Sequence, residues 1–241
     1  MKIVKILGIP FTFFEDIKDF ENKVISFLKE EKVHSIFTPN AEMISISERD
    51  DIFKDILINS DLNIPDGIGI ILLAKKFGYK NLRKLAGIDA MKYILHLSVR
   101  ENIPVYFLGA KKEVLEELID RIKKDYIGIS IAGYHHGYFL KASQEKIIED
   151  INKSGAKILF VALGAPKQEI WISENKNKLK VRIAMGVGGS FDVLSGKKRR
   201  APKIFIDLGL EWLYRILQDP IRLIRRAPNL FYFLYLYIIR S

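Results

Sequence analysis

An aspartate set between proline and glycine, Pro65-Asp66-Gly67, is the residue best placed to move a proton. Its neighbours force a turn, so the carboxylate projects from the end of the preceding strand, a place that suits a general base. An Asx turn, or a cap on a helix starting near Gly67, is the plainer reading of the same residues. Thr38 and Asn40 can cap the helix that comes after them, with Glu42 completing the cap. Gly186, Gly188 and Gly189 either let a strand and helix pack closely or bring backbone N–H groups to a phosphate. His135 and His136 precede Gly137 in a loop and read as surface or hydrogen-bonded structure; Trp171 reads as a core anchor.

Several chemistries drop out. The pattern G-x-x-x-x-G-K-[ST] is absent, and Gly186, Gly188 and Gly189 do not complete G-x-G-x-x-G, which weakens a kinase or a standard dehydrogenase. There is no G-x-S-x-G elbow. Nor do two aspartates fall two apart, as a pair holding a divalent ion against a nucleotide diphosphate would, so no metal is expected. Zero cysteines exclude disulfides, thiolate metal sites and cysteine nucleophiles. A lone aspartate, amide side chains, glycine-rich backbone and arginines remain.

Short β-branched runs alternating with helical-period segments must position these groups. Strands are expected at Lys2–Leu7 and Pro10–Phe14, as a hairpin around Gly8, then at Val33–Phe37, Asp61–Ile64, Pro104–Leu108, Ile129–Ala132, Lys157–Leu163 and Arg182–Met185. Helices are expected over Asp16–Lys32, Glu42–Asn59, Gly87–Glu101, Lys111–Asp125, Ser143–Ser154 and Gln168–Lys178. Such repetition predicts an α/β Rossmann-like fold: a mainly parallel sheet with helices on both faces, a short N-terminal β-hairpin and a helical C-terminal appendage. In open α/β sheets ligands bind outside the carboxyl ends of the strands, where the loops named above fall.

At 241 residues, 49% hydrophobic and 28% charged, the chain has room for one sizeable globular domain with an appendage. The expected division is a catalytic domain over 1–195 and a basic, aromatic-rich appendage over 196–241. The appendage holds 10 lysines and arginines against 3 carboxylates, and eight of the chain's aromatic residues. Ile204–Gln218 has helical period, Pro220 should break or kink the next segment, and the apolar run Phe231–Ile239 is far short of the roughly 20 residues that span a bilayer. Cations beside aromatic rings suit an anionic membrane surface. A nucleic-acid-binding α/β module with a basic tail is the alternative, and a Rossmann-like oxidoreductase a third. Exposed apolar stripes on the tail also predict a homo-oligomer off the membrane. The N-terminus, without a signal-type apolar core, reads as cytosolic.

Taken together the loops resemble the WecG/TagA/CpsF family of glycosyltransferases over nearly the whole chain. The matching pieces are Thr38-Pro39-Asn40 with Glu42, Pro65-Asp66-Gly67, Arg83 with Gly87 and Asp89, Phe107-Leu108-Gly109, Gly137-Tyr138-Phe139, Gly164 through Gln168-Glu169 with Trp171, Gly186-Val187-Gly188-Gly189 with Phe191-Asp192, and Arg200-Ala201-Pro202. In the tail, Gly209-Leu210-Glu211-Trp212 with Arg215, then Pro220 with Arg222 and Arg225, is also similar. Within the family the likeness to wall teichoic acid linkage-unit synthesis implies transfer of N-acetylmannosamine from UDP to undecaprenyl-diphosphate-linked N-acetylglucosamine, with inversion, at the cytoplasmic membrane face. That implies a UDP-sugar donor, a lipid-diphosphate acceptor, an anionic membrane partner, no nucleic acid and no cofactor.

With the resemblance, Asp66 becomes the expected base, and Thr38, Asn40 and Gln168 the residues that hold donor or acceptor. Arg83 from the core, and Arg215, Arg222 and Arg225 from the tail, become candidates to compensate the leaving diphosphate. Gly186, Gly188 and Gly189 are expected against phosphate, and Asp192 against ribose.

Overall fold

The computed structural model describes residues 1–80, 82–218 and 220–239, and the side chains of these except at 215, 216, 218 and 220–226. In chain order the elements are β1 (Lys2–Ile6), β2 (Ile9–Phe13), α1 (Ile17–Lys29), β3 (His34–Phe37), α2 (Ala41–Ser47), α3 (Asp51–Ile58), β4 (Leu62–Asn63) and α4 (Ile68–Lys76). Next come α5 (Gly87–Arg100), β5 (Val105–Gly109), α6 (Lys112–Asp125), β6 (Ile131–His135), α7 (Gln144–Lys153), β7 (Ile158–Ala162), α8 (Lys167–Asn175), β8 (Ile183–Gly186) and α9 (Ser190–Leu194). Three helices close the chain: α10 (Lys203–Asp207), α11 (Glu211–Gln218) and α12 (Pro220–Ile239).

Strands β3 to β8 form one parallel sheet in the order β4-β3-β8-β7-β5-β6. The strands inside the edge strand β6 are covered on both faces, so their side chains alternate between two apolar layers, whereas β6 is only partly covered. Tyr106, Leu108, Leu159 and Val161 face a layer shared with the hairpin, α2, α3, α7 and α8. Val105, Phe107, Ile158 and Phe160 face the other, filled by α1, α5 and α6. The hairpin β1–β2 pairs Lys2 with Phe13 and Ile6 with Ile9. Its two turn residues, Leu7 and Gly8, both have positive φ (52° and 86°), the backbone that a two-residue connection needs to match the strand twist.

Several element ends shift by up to three residues, and the strand expected at Ile129–Ala132 is β6, Ile131–His135, so that His135 ends a strand instead of lying in a loop. Three further differences have a local cause. The helix predicted over Glu42–Asn59 is two helices, because Asp50 leaves the helix and caps the next, its Oδ1 accepting from Phe53 N at 3.0 Å. The predicted Ile204–Gln218 helix is broken at Gly209, whose φ of 73° ends α10. Pro220 opens α12 rather than interrupting it, since the N–H it lacks has no intrahelical partner at a first helical position.

The tail folds back. Leu236 on α12 is 2% exposed within the first apolar layer, Ser45 Oγ on α2 donates to Asn229 O at 2.6 Å, and the Arg49 guanidinium lies 4.8 Å from the centre of the Tyr232 ring. A Cβ on Gly69 in α4 would lie 3.1 Å from Phe233 and 3.2 Å from Ala41, so glycine lets α12 settle between α2 and α4. Among the described residues, no helix is long and apolar enough to cross a membrane.

Candidate active site

A cleft open to solvent lies at the carboxyl ends of four neighbouring strands, β4, β3, β8 and β7. The loop after β3 brings Thr38, Asn40 and Glu42; the loop after β4 brings Asp66; the loop after β7 brings Gly164 and Gln168; the loop after β8 brings Gly188, Gly189 and Ser190. Parallel strands all point their carboxyl ends the same way, which is how residues far apart in sequence share one wall.

Asp66 does not cap α4. That helix starts after Gly67 (φ 84°) and has no side-chain cap, so the capping alternative for the carboxylate falls away. Instead Asp66 N donates to Pro39 O at 3.0 Å, tying the turn to the β3 loop, and Asp66 Oδ1 lies 3.4 Å from Gly87 N at the start of α5. Asn40 does cap: its Oδ1 accepts from Met43 N at 3.1 Å, which fixes the side chain and leaves its NH2 for the cleft. Thr38 sits against the first residue of α5, where a Cβ on Gly87 would fall 2.9 Å from Thr38 Oγ1.

Gln168 and Glu169 begin α8 and are nearly sealed from solvent, at 3% and 0% exposure. Gln168 Nε2 donates to Glu169 Oε1 at 2.7 Å, and Gln168 Oε1 accepts from Gly188 N at 3.0 Å. Burial pushes the Glu169 carboxyl up to about 7. Gly186 makes room for this pair, because a Cβ there would lie 3.0 Å from Gln168 Nε2 and 3.1 Å from Glu169 Oε1. Gly186 is therefore a packing glycine behind the wall, while Gly188 and Gly189 line it.

The expected cations are distributed differently. Arg83 is not among the lining residues; its Nη1 donates to Glu15 O at 2.9 Å. Asp192 also lies outside the lining, with its Oδ2 3.8 Å from where a Gly189 Cβ would be. Arg215 on α11 and Arg222 and Arg225 on α12 have side chains outside the described residues. The described lining holds three carboxylates, Glu42, Asp66 and Glu211, and no lysine or arginine. Two cations stand close behind it. Arg200 grips Asp89 in a bidentate pair of 2.8 and 2.6 Å, hydrogen bonds that hold its guanidinium above the usual range with Glu211 and Asp66 adding to the effect. Lys84 Nζ meets Glu211 Oε2 at 2.5 Å, so the tail enters the cleft through an acidic residue that the sequence marked only as part of the Gly209-Leu210-Glu211-Trp212 piece, with no role assigned. Among the described residues, no three His, Asp or Glu side chains gather as metal ligands.

Glu169 was legible in one respect. Trp171, Ile172 and Asn175 are the buried positions of α8, and their helical spacing puts 168 and 169 on the same inward face. The Arg200–Asp89 and Lys84–Glu211 pairs join positions 111 and 127 residues apart, which no local pattern connects.

Comparison with known proteins gives a consistent picture. A model of the glycosyl transferase WecG/TagA/CpsF family matches residues 4–241. A protein of Bacillus spizizenii strain W23 is 37% identical over 197 residues, covering 82% of this chain and 76% of the relative. Another, from Bacillus subtilis strain 168, is 34% identical over 190 residues, covering 79% and 73%. Both carry the name N-acetylglucosaminyldiphosphoundecaprenol N-acetyl-beta-D-mannosaminyltransferase.

Proposed function

The chain belongs to the WecG/TagA/CpsF family of glycosyl transferases, and from that premise we propose that it moves N-acetylmannosamine from UDP to the N-acetylglucosamine of undecaprenyl-diphosphate-N-acetylglucosamine, inverting the anomeric carbon and using no metal. The names of both Bacillus relatives support the sugar and the acceptor. What carries the chemistry is the position of Asp66: a carboxylate in the wall of a cleft built by four strand ends, which does not cap α4 and whose one polar contact among the described residues is a long one of 3.4 Å from Gly87 N at the start of α5 to Oδ1.

In this reading Asp66 takes the proton of the acceptor hydroxyl as that oxygen attacks the anomeric carbon from the face opposite UDP. The bond from that carbon to the β-phosphate oxygen breaks, and its electron pair leaves with UDP. Thr38 Oγ1, the Asn40 NH2 and Gln168 hold the reacting sugars in attack geometry, and the Gly188-Gly189 backbone lies against the phosphates with the Gly189 N–H turned to them, the Gly188 N–H being held by Gln168 Oε1. Asp192 remains our candidate for the ribose.

The departing diphosphate needs positive charge that the described lining lacks. We assign it to the tail arginines Arg215, Arg222 and Arg225, with Arg83 as a core candidate that would first have to leave Glu15 O. The tail also presents exposed apolar residues, among them Leu208, Leu217, Phe231 and Ile238, at 63–71% exposure, which suit the surface of an anionic membrane. Together they make a peripheral enzyme of the inner membrane face whose tail self-associates when lipid is absent.

A panel of nucleotide sugars offered with a short lipid-diphosphate N-acetylglucosamine, read by mass, tests the reading. We expect one added N-acetylhexosamine from UDP-N-acetylmannosamine, undiminished by a chelator. Transfer from a different donor alone, or loss with chelator restored by Mg²⁺, contradicts it.

A further inference from the structure

Glu169 carries a fully buried carboxyl group directly behind the cleft wall. One oxygen accepts from Gln168, and the other, Oε2, has no hydrogen-bond partner. Such a group costs stability, because an orphaned buried polar atom loses its hydration without compensation. An apolar side chain would avoid that cost, and Ile172 beside it shows that this face of α8 accepts one.

What the carboxyl supplies is direction. A primary amide has a donor end and an acceptor end of nearly the same shape, whereas a carboxylate oxygen only accepts. With Glu169 on one side, Gln168 must give its NH2 to the carboxyl and turn its Oε1 to the Gly188 N–H. The second hydrogen of that NH2 is then left for the cleft, which Gln168 lines. A flipped amide would set NH2 against the Gly188 N–H, donor against donor, and, in the ionised form of Glu169, would leave the carboxylate facing an oxygen. Gly186 keeps the space around the pair clear, and either hydrogen bond would be disturbed by a Cβ there.

We propose that Glu169 is a positioning residue for sugar transfer: it fixes the orientation of the Gln168 amide and, through it, the Gly188 backbone in the form that receives substrate. The proposal rests on the glycosyltransfer reading and adds a residue that never touches substrate itself.

The test is steady-state transfer by the full chain from UDP-N-acetylmannosamine to a short lipid-diphosphate N-acetylglucosamine, with melting temperature measured alongside. The variants are Glu169→Met, Gln168→Met and the two combined. Glu169→Met should lower kcat about tenfold or more while the donor KM stays within about threefold. In the Gln168→Met background the same change should cost nothing further, because Glu169 acts only through Gln168. Wild-type kcat in Glu169→Met, or losses that multiply in the double variant, overturns the proposal.

Should Glu169→Met melt below the assay temperature, the cycle is run with isosteric Glu169→Gln. Its amide keeps an acceptor but also admits the flipped arrangement. Slowing in the wild-type background that vanishes in the Gln168→Met background supports the assignment, and equal slowing in both, or none in either, overturns it. A wild-type protein inactive with every donor contradicts the glycosyltransfer reading itself; an active wild type whose cycle shows no coupling contradicts only the role of Glu169.

Discussion

At the scale of single residues, the cleft depends on atoms that are absent as much as on those present. Gly186→Ala would push a methyl group to 3.0 Å from Gln168 Nε2 and 3.1 Å from Glu169 Oε1. We expect a loss of about 1–3 kcal/mol in chemical denaturation, as for an overpacked core, together with slower transfer. Unaltered stability and rate would show that the pair can shift aside. Glu169 makes a second prediction, through pH. Its carboxyl is raised from 4.5 to about 7 by burial, so the folded chain holds that proton more tightly than the unfolded one. Its contribution therefore favours the fold below pH 4.5 and is lost as pH rises towards 7, amounting to about 3 kcal/mol. Denaturation midpoints should fall across that window in the wild type and fall less in Glu169→Gln; parallel curves would contradict this. Residues whose place is set by their neighbours in the chain were legible. Asp66, Thr38, Asn40, Gln168, Gly188 and Gly189 all stand at strand ends and all reach one cleft. Arg83 was not, because nothing around it in sequence says that its guanidinium turns to Glu15 O.

At the scale of elements, the parallel sheet was legible because β-branched runs bounded by turns recur with helices between them, and the hairpin because Gly8 divides two such runs. Helix ends inside polar stretches were not. Ser47-Glu48-Arg49-Asp50 continues a helical period, and only the hydrogen bond from Phe53 N to the Asp50 carboxylate decides that the chain restarts there. Asp50→Ala should destabilise α3 by about 1 kcal/mol, read in chemical denaturation, and no change would mean that packing of Phe53 and Leu57 alone holds the helix. The docking of α12 was hidden from sequence for a different reason: its partners on α2 and α4 lie more than a hundred residues away. Leu236 is the buried contact of that helix. Leu236→Ala should speed proteolytic cleavage within residues 227–239 about tenfold or more, because removing a buried leucine costs about 2–5 kcal/mol and undocks the segment. Unchanged cleavage would show that the polar contacts of Ser45, Arg49 and Lys76 suffice.

At the scale of the whole molecule, charge and apolar surface are unevenly placed. The formal charge is +10, concentrated in the last 46 residues, while the described lining of the cleft is acidic. A negatively charged lipid surface would attract the end of the chain that bears Trp212, Phe231 and Ile238 on its exterior. Full-length protein should sediment with anionic vesicles at low salt and release as salt rises, whereas duplex DNA over the same series should bind weakly; the reverse order would favour a nucleic-acid partner. All of this matters only if the cleft performs the transfer through Asp66. The direct measurement is the initial rate of sugar transfer by Asp66→Asn, with UDP affinity determined on the same preparation. We predict a fall of about a hundredfold or more with UDP binding within about threefold of wild type. A near-normal rate with UDP still bound would contradict a proton-accepting role for Asp66.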